Sequence, residues 1–357
     1  GRVGVAGVQG DVNVDCRNGE LDLKDLPGTV SASNSFGRLR ADRIGTAQFS
    51  AQNGALEVSA VSGELRATTS FGMLHVRDVK GAAILKNQNG AIIANGIGGD
   101  VTASTSFAEM RLEEVGGRAH VTNQNGRIEL FRVTKAVRAA TAFGHLRVHG
   151  LGSNADLKNQ NGVIDAARVT GDLQAETSFG DIRVEEVGGQ AVLKARNGKI
   201  DATRVTGNLR ATTSFAALQV REIGGAVELD GQNSEITALA VAGDIRAATS
   251  FGRMRLEGNG QRFTARTENG AIEIVARSPG VRHIDARASF AGINVQLPAD
   301  TQPLIRANAS MGHVKSDFPV LLADTMSEAS FAAHAAPLKV TLKGQNGDIR
   351  IQQVAAR

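Results

Sequence analysis

The sequence predicts an all-β fold: a single-stranded parallel β-helix, right-handed, with about 19 coils of 18 residues in alternating pairs. Three observations predict it. Phenylalanine recurs every 36 residues, at Phe71, Phe107, Phe143, Phe179, Phe215 and Phe251. Asparagine recurs midway, at Asn89, Asn125, Asn161, Asn197, Asn233 and Asn269. Strand-like stretches between them are punctuated by Asn-Gly and Gly-Gly, which supply the turn conformations a coil needs at its corners.

Two kinds of coil alternate. Type A reads GELRATTSFGMLHVRDVKG at Gly63–Gly81, and type B reads GAAILKNQNGAIIANGIGG at Gly81–Gly99. Phe in A and Asn in B share one position, so one coil is 18 residues and the chemical repeat is two coils. In the B coil, Ala83, Leu85, Asn87 and Asn89 alternate with their neighbours at period 2, the mark of a strand with these residues inward. After Asn89-Gly90 the inward set moves to Ile92 and Ala94, then to Ile97. Each change of parity marks a corner. No 18-residue unit holds a helical period, and right-handedness follows from the bias of parallel crossovers.

The interior alternates in size. Type A places Leu65 and Ala67 where type B places Ala83 and Leu85, so large side chains lie over small ones in successive coils. Phe over Asn reads as a further large/small pair, with the Asn side chains laddering onto the corner backbone. Cys16 stands in the inward slot of Asn87 and reads as a small core residue.

One outward column alternates in charge: Asp22, Arg40, Glu57, then Arg111, Glu129, Arg147, Asp165, Arg183, Asp201, and later Arg255 and Glu273. Type A carries Arg there and type B an acid. Where A lacks Arg, at His75 and Gln219, the next B coil lacks its acid, at Ile93 and Thr237. The column reads as a ladder that specifies register, because a one-coil slip would set like charges together.

Residues 1–276 are expected to form regular coils, and 277–357 irregular coils and a cap of the same solenoid. The stretch Leu321–Pro337 reads as irregular, and Leu338–Gln352 as a closing coil. The opening Gly-Arg-Val reads as mid-repeat, so an upstream continuation, or pairing of this end with another chain, is expected.

Composition narrows the function. The chain holds 40 basic and 36 acidic residues, too balanced to argue for nucleic acid or an anionic membrane. No apolar run approaches a membrane span, and no leader is visible. A single cysteine leaves no intrachain disulfide. The seven histidines, His75, His120, His145, His149, His283, His313 and His334, share no coil position and lack partners at ligand spacing, so no metal or other cofactor is expected. Gly258–Gln261 lacks the strand-to-helix context of a phosphate loop. Coils of constant length from Gly54 to Asn269 leave no loops to build a pocket, which argues against a lyase or hydrolase. With neither Trp nor Tyr present, carbohydrate binding is disfavoured.

The C-terminal motifs carry a resemblance. LPAD at Leu297–Asp300, SDFP at Ser316–Pro319 and NGDIRI at Asn346–Ile351, following Gly-punctuated strand repeats, resemble a bacterial family of β-strand-repeat proteins named adhesins on suspicion alone, a domain of unknown function. The resemblance covers essentially the whole chain. It implies an envelope-associated protein, tethered by an upstream hydrophobic helix, and brings no catalytic residues. The expected function is a non-enzymatic rod that acts as spacer or interaction surface for an unidentified protein or surface partner. A bactofilin-like scaffold that self-assembles through the N-terminal end is the alternative.

Overall fold

The computed structural model describes residues 1–318, the strand Leu321–Leu322 and residues 338–354. Apart from the backbone of that short strand, the expected irregular segment Leu321–Pro337 lies outside the described residues, as do Pro319 and His334. Two compact units divide the chain, Gly1–Gly180 and Asp181–Arg357. Both are stacked β-solenoid coils of about 18 residues. Among the described residues the turns number roughly 16, against the 19 that the sequence leads one to expect.

The coil at 81–99 shows how the sequence builds one turn. Ala83–Asn87 forms the first strand, Gln88–Ala91 the corner, and Ile92–Ile97 the second strand. Each strand pairs in parallel with its counterparts one coil away. Leu65 faces Ala83, and Ala83 faces Val101; beside them Ala67 faces Leu85, and Leu85 faces Ala103. All six side chains are buried, so the expected alternation of large and small fills the interior.

A polar column runs inside, two residues before the corner Phe or Asn. It is Asn in the type B coils of Asn89, Asn125 and Asn161, and Thr in the type A coils from Phe71 to Phe251. Asn87 Nδ2 donates to the carbonyls of Gly72 at 2.7 Å and Ala91 at 3.2 Å, while its Oδ1 accepts from the Gly90 amide at 2.9 Å. Asn123 and Asn159 reach back to Ala108 O and Gly144 O at 2.7 and 2.8 Å. Thr105, Thr141 and Thr213 do the same with their hydroxyls, onto Gly90, Gly126 and Gly198. These side chains satisfy buried corner carbonyls that the strand ladder leaves over.

The second strand bends at a residue in the left-handed region, between two inward positions three apart such as Val58 and Val61. That residue recurs at the same place in successive coils. In the first unit it is Asp25, Arg43, Ala60, Asp78, Glu114, Arg132 and Arg168, at φ 53–58°, with Gly7, Gly96 and Gly150 in three coils. In the second it is Glu186, Arg204, Glu222 and Ala240. An L-residue is strained there by about 1–2 kcal/mol. Ala60→Gly is therefore expected to stabilise the protein by about 0.5 kcal/mol, the strain relieved less the extra entropy of an unfolded glycine. Ala60→Val is expected to destabilise it by more than about 1 kcal/mol. Urea midpoints would check both, and a lower midpoint for the glycine variant would refute the strain.

Chain order and stacking order differ at the C-terminal end. The terminal strands Leu338–Gly344 and Ile349–Val354 do not close the stack, as the sequence suggests. They pair on one side with His283–Ala288 and Ile293–Pro298, and on the other with Pro303–Ala309 and Val314–Ser316. The last coil of the chain thus lies between two earlier ones. The three C-terminal motifs meet around it. Leu297 and Pro298 face Gln353 and Val354. Asp317 accepts from the Gln353 amide at 3.0 Å, and Asp348 from the His313 amide at 2.9 Å. The bond from His313 holds the Asp348 carboxyl below its ordinary pKa.

Candidate functional site

The corner ladder is where structure and sequence part. Asn87, not Asn89, is the last inward residue of its strand, and the corner begins one step earlier than the alternation implies. Phe71, Phe107, Phe143, Phe179, Phe215 and Phe251 therefore do not pack inside over Asn. They stand on the surface, 50–63 % exposed, as do Phe36 and Phe290. Within each unit the intervening asparagines, Asn89, Asn125 and Asn161 in the first and Asn197, Asn233 and Asn269 in the second, occupy the corner column too, half-buried or exposed.

Within Gly1–Gly180 this column is held in line by backbone bonds from coil to coil. Phe71 N donates to Gln52 O at 3.1 Å, Asn89 N to Ser70 O at 2.8 Å, Phe143 N to Gln124 O at 2.9 Å and Asn161 N to Ala142 O at 2.8 Å. Two strand spacings, ~9.6 Å, thus separate successive Phe positions. Nine successive corner tripeptides, from Ser35–Gly37 to Ser178–Gly180, contain no charged residue, in a chain that is 21 % charged. Type A corners read Ser-Phe-Gly with small variations, and type B corners read Gln-Asn-Gly. The equivalent corners outside this run include Arg17 in the first unit and Arg196 and Glu268 in the second. Monomeric surfaces rarely align large apolar side chains in this way without a partner.

The charge column lies in the register expected. Asp22, Arg40 and Glu57 face one another, as do Arg111, Glu129, Arg147 and Asp165. In the second unit Arg183 faces Asp201, and Arg255 faces Glu273. Register and ion pairing are not the same thing. Arg111–Glu129 and Arg255–Glu273 close at 3.6 Å. Other acids reach a base two residues off the column: Asp22 to Arg2 at 2.5 Å, Glu57 to Arg38 at 3.6 Å and Asp165 to His145 Nε2 at 2.7 Å. Glu273 also takes Arg253 at 3.0 Å. Arg183 lies 3.4 Å from Asp181 of its own strand end, and Asp201 3.3 Å from Lys199. Such exposed pairs contribute about 0–1 kcal/mol each.

A second charged column escaped the sequence reading. It is the left-handed column itself, where Asp25 meets Arg43 at 2.5 Å, Glu114 meets Arg132 at 3.0 Å and Glu186 meets Arg204 at 3.1 Å. Around Phe107 and Asn125 its signs oppose those of the first column, Arg111 with Glu114 and then Glu129 with Arg132. Its signal was the recurrence of charge seven residues after most of the Phe and Asn positions from Asn18 to Asn233, Ala60, Gly96, Gly150 and Ala240 excepted. Hydrogen bonds from Arg43 and Arg132 hold the carboxyls of Asp25 and Glu113 below their ordinary pKa.

A groove also exists, although coils of constant length were expected to build none. The left-handed bend makes that side of the coil concave without any loop. In the first unit it encloses about 1040 Å³ between Gln9 and Thr134, rimmed by Asp25, Arg43, Asp78, Lys80, Glu114 and Arg132. Its floor is Ile44, Val61, Val79, Ile97 and Val115, each only 1–2 % exposed. The Phe edge, by contrast, offers whole side chains more than half exposed. A smaller groove of about 440 Å³ lies in the second unit, along Gln190, Asn208, Arg210, Glu228, Arg246 and Arg262.

Cys16 is a half-buried free thiol in the first coil, facing Asn34. Among the described residues no three His, Cys, Asp or Glu side chains gather in a way that could hold a metal ion, and no helix is long and apolar enough to cross a membrane. Comparisons with protein-family models, with curated proteins and with solved structures find no match, so the resemblance to the adhesin-named family rests on the quoted motifs alone.

Proposed function

We propose that this chain is a non-enzymatic, adhesin-like structural module of the cell envelope that docks a partner along its Phe edge. The observation that carries the reading is the run of nine uncharged corners from Ser35 to Gly180, where five phenylalanines, Phe36, Phe71, Phe107, Phe143 and Phe179, project from hydrogen-bonded corners. Coils of constant spacing suit a scaffold that repeats one contact many times. Charged side chains engaged with each other in exposed pairs suit a structural role better than an acid–base one. The envelope assignment follows from the resemblance of the C-terminal motifs.

The test is retention of the purified protein on isolated cell-envelope material. Phe107→Asp with Phe143→Asp should leave thermal unfolding nearly unchanged, since exposed substitutions cost within about 0.5 kcal/mol, and should abolish retention. Retention that persists in the double variant would refute the docking edge. Unbranched filaments of the purified protein in electron micrographs would favour the bactofilin-like scaffold instead.

A further inference from the structure

We infer that the Phe edge of the first unit is a binding site for a neutral β-1,4-linked glycan chain, with phenylalanines stacking on alternate sugar rings. The inference deepens the docking reading and rests on it.

The period of the edge comes first. Phe36, Phe71, Phe107, Phe143 and Phe179 occupy every second coil, ~9.6 Å apart. In a β-1,4-linked chain each pyranose is turned over relative to the one before. The same ring face therefore recurs every second sugar, at close to this distance. A protein stripe with a two-coil period matches a polymer with a two-residue period, so one contact can repeat along both.

The chemistry of the edge comes second. One face of an equatorially substituted pyranose presents axial C–H groups and packs on an aromatic ring. Its rim presents hydroxyls, which need both donors and acceptors. Between successive phenylalanines stand the exposed amides Gln52, Gln88, Gln124 and Gln160, each of which donates and accepts. Nine corners without a charge suit a neutral polyhydroxylated polymer.

Pre-organisation comes third. The corner amides bond to the carbonyls of the coil before, so the phenylalanines are aligned before any ligand arrives. The absence of Trp and Tyr weakens each stack but not the repetition of stacks, and multivalency makes up the affinity. Composition alone disfavours carbohydrate, for want of Trp and Tyr; the exposed phenylalanines supply the aromatic faces instead.

The experiment is affinity electrophoresis and calorimetry of the full chain with soluble β-1,4-linked oligosaccharides of glucose and of N-acetylglucosamine, four to ten sugars long, against α-1,4-linked chains of equal length. Affinity for one β-linked series should rise with each added disaccharide, and the α-linked series should not bind. Phe107→Ala with Phe143→Ala should lower affinity for a hexasaccharide by about tenfold or more, with unfolding unchanged. No binding to either β-linked series, equal binding of the α-linked chains, or binding indifferent to the phenylalanines would each overturn the inference. If envelope retention depends on the phenylalanines while both glycan series fail to bind, the glycan assignment falls and the docking edge stands. If the same substitutions instead convert a dimer to a monomer in sedimentation, without glycan binding, the occupant is a second copy and the glycan assignment again falls.

Discussion

Replacing Leu157 with alanine is expected to destabilise the first unit by about 3–5 kcal/mol, the upper part of the range for a buried leucine. Leu157 is fully buried, and its neighbours in the coils on either side are Ala139 and Ala175. The variant would stack three alanines in one column. Cavity cost depends on how far the surroundings collapse, and hydrogen-bonded strands fixed at ~4.8 Å cannot draw together to fill the void. Equilibrium denaturation followed by circular dichroism measures the loss. A cost under about 1 kcal/mol would show that the Leu/Ala alternation is not what fills the interior. Because coils touch only their neighbours, hydrogen exchange should rise most in the strands around residue 157.

The second large effect concerns the corner. Asn87→Gly removes three hydrogen bonds and is expected to cost about 2–3 kcal/mol. Gly90→Ser is expected to cost a similar amount, because a Cβ on Gly90 would come within 2.6 Å of Asn87 Nδ2 and 2.0 Å of Gly72 O. The protein itself contains the compensated form. In the coil at Asn233 the inward Asn is replaced by Gly231 and the corner Gly by Ser234, which is buried. A Cβ on Gly231 would lie 2.6 Å from that of Ser234, so the two positions share one space. The double variant should accordingly be less destabilised than the sum of the single ones by at least about 1 kcal/mol. Strict additivity in the double-mutant cycle would show that the positions are independent.

Much of this architecture was legible because a period is a non-local fact written locally. Ala67, Leu85 and Ala103 read as one column from their spacing alone, and the structure stacks them. The three-residue step from Ala94 to Ile97 announced a corner, which proved to be the left-handed bend. The limit of the reading lay at Asn89. Alternation extends to it on paper, but Gln88–Ala91 is already turning, so the residue after Asn87 that shares its parity swings outward. Phenylalanine shares the repeat position of Asn89 and so reads as inward with it, and no local signal separates a buried aromatic from an exposed one.

What the sequence determined by itself is the coil: its length, its pairing partners, its alternation of large and small, and the facing of Arg111 with Glu129. These follow from side-chain period and steric volume, which any stacked arrangement must respect. What only the tertiary structure decided is which way each corner side chain points, which acid takes which base, and where the last coil goes. Asp165 could reach either Arg147 or His145, and exposed pairs differ by too little for register to choose. The strands Leu338–Gly344 and Ile349–Val354 fit beside any coil of matching pattern, and only packing of the whole end placed them between two earlier ones. The Phe edge belongs to the same class: its spacing was visible from the start, but its exposure depends on where the backbone turns.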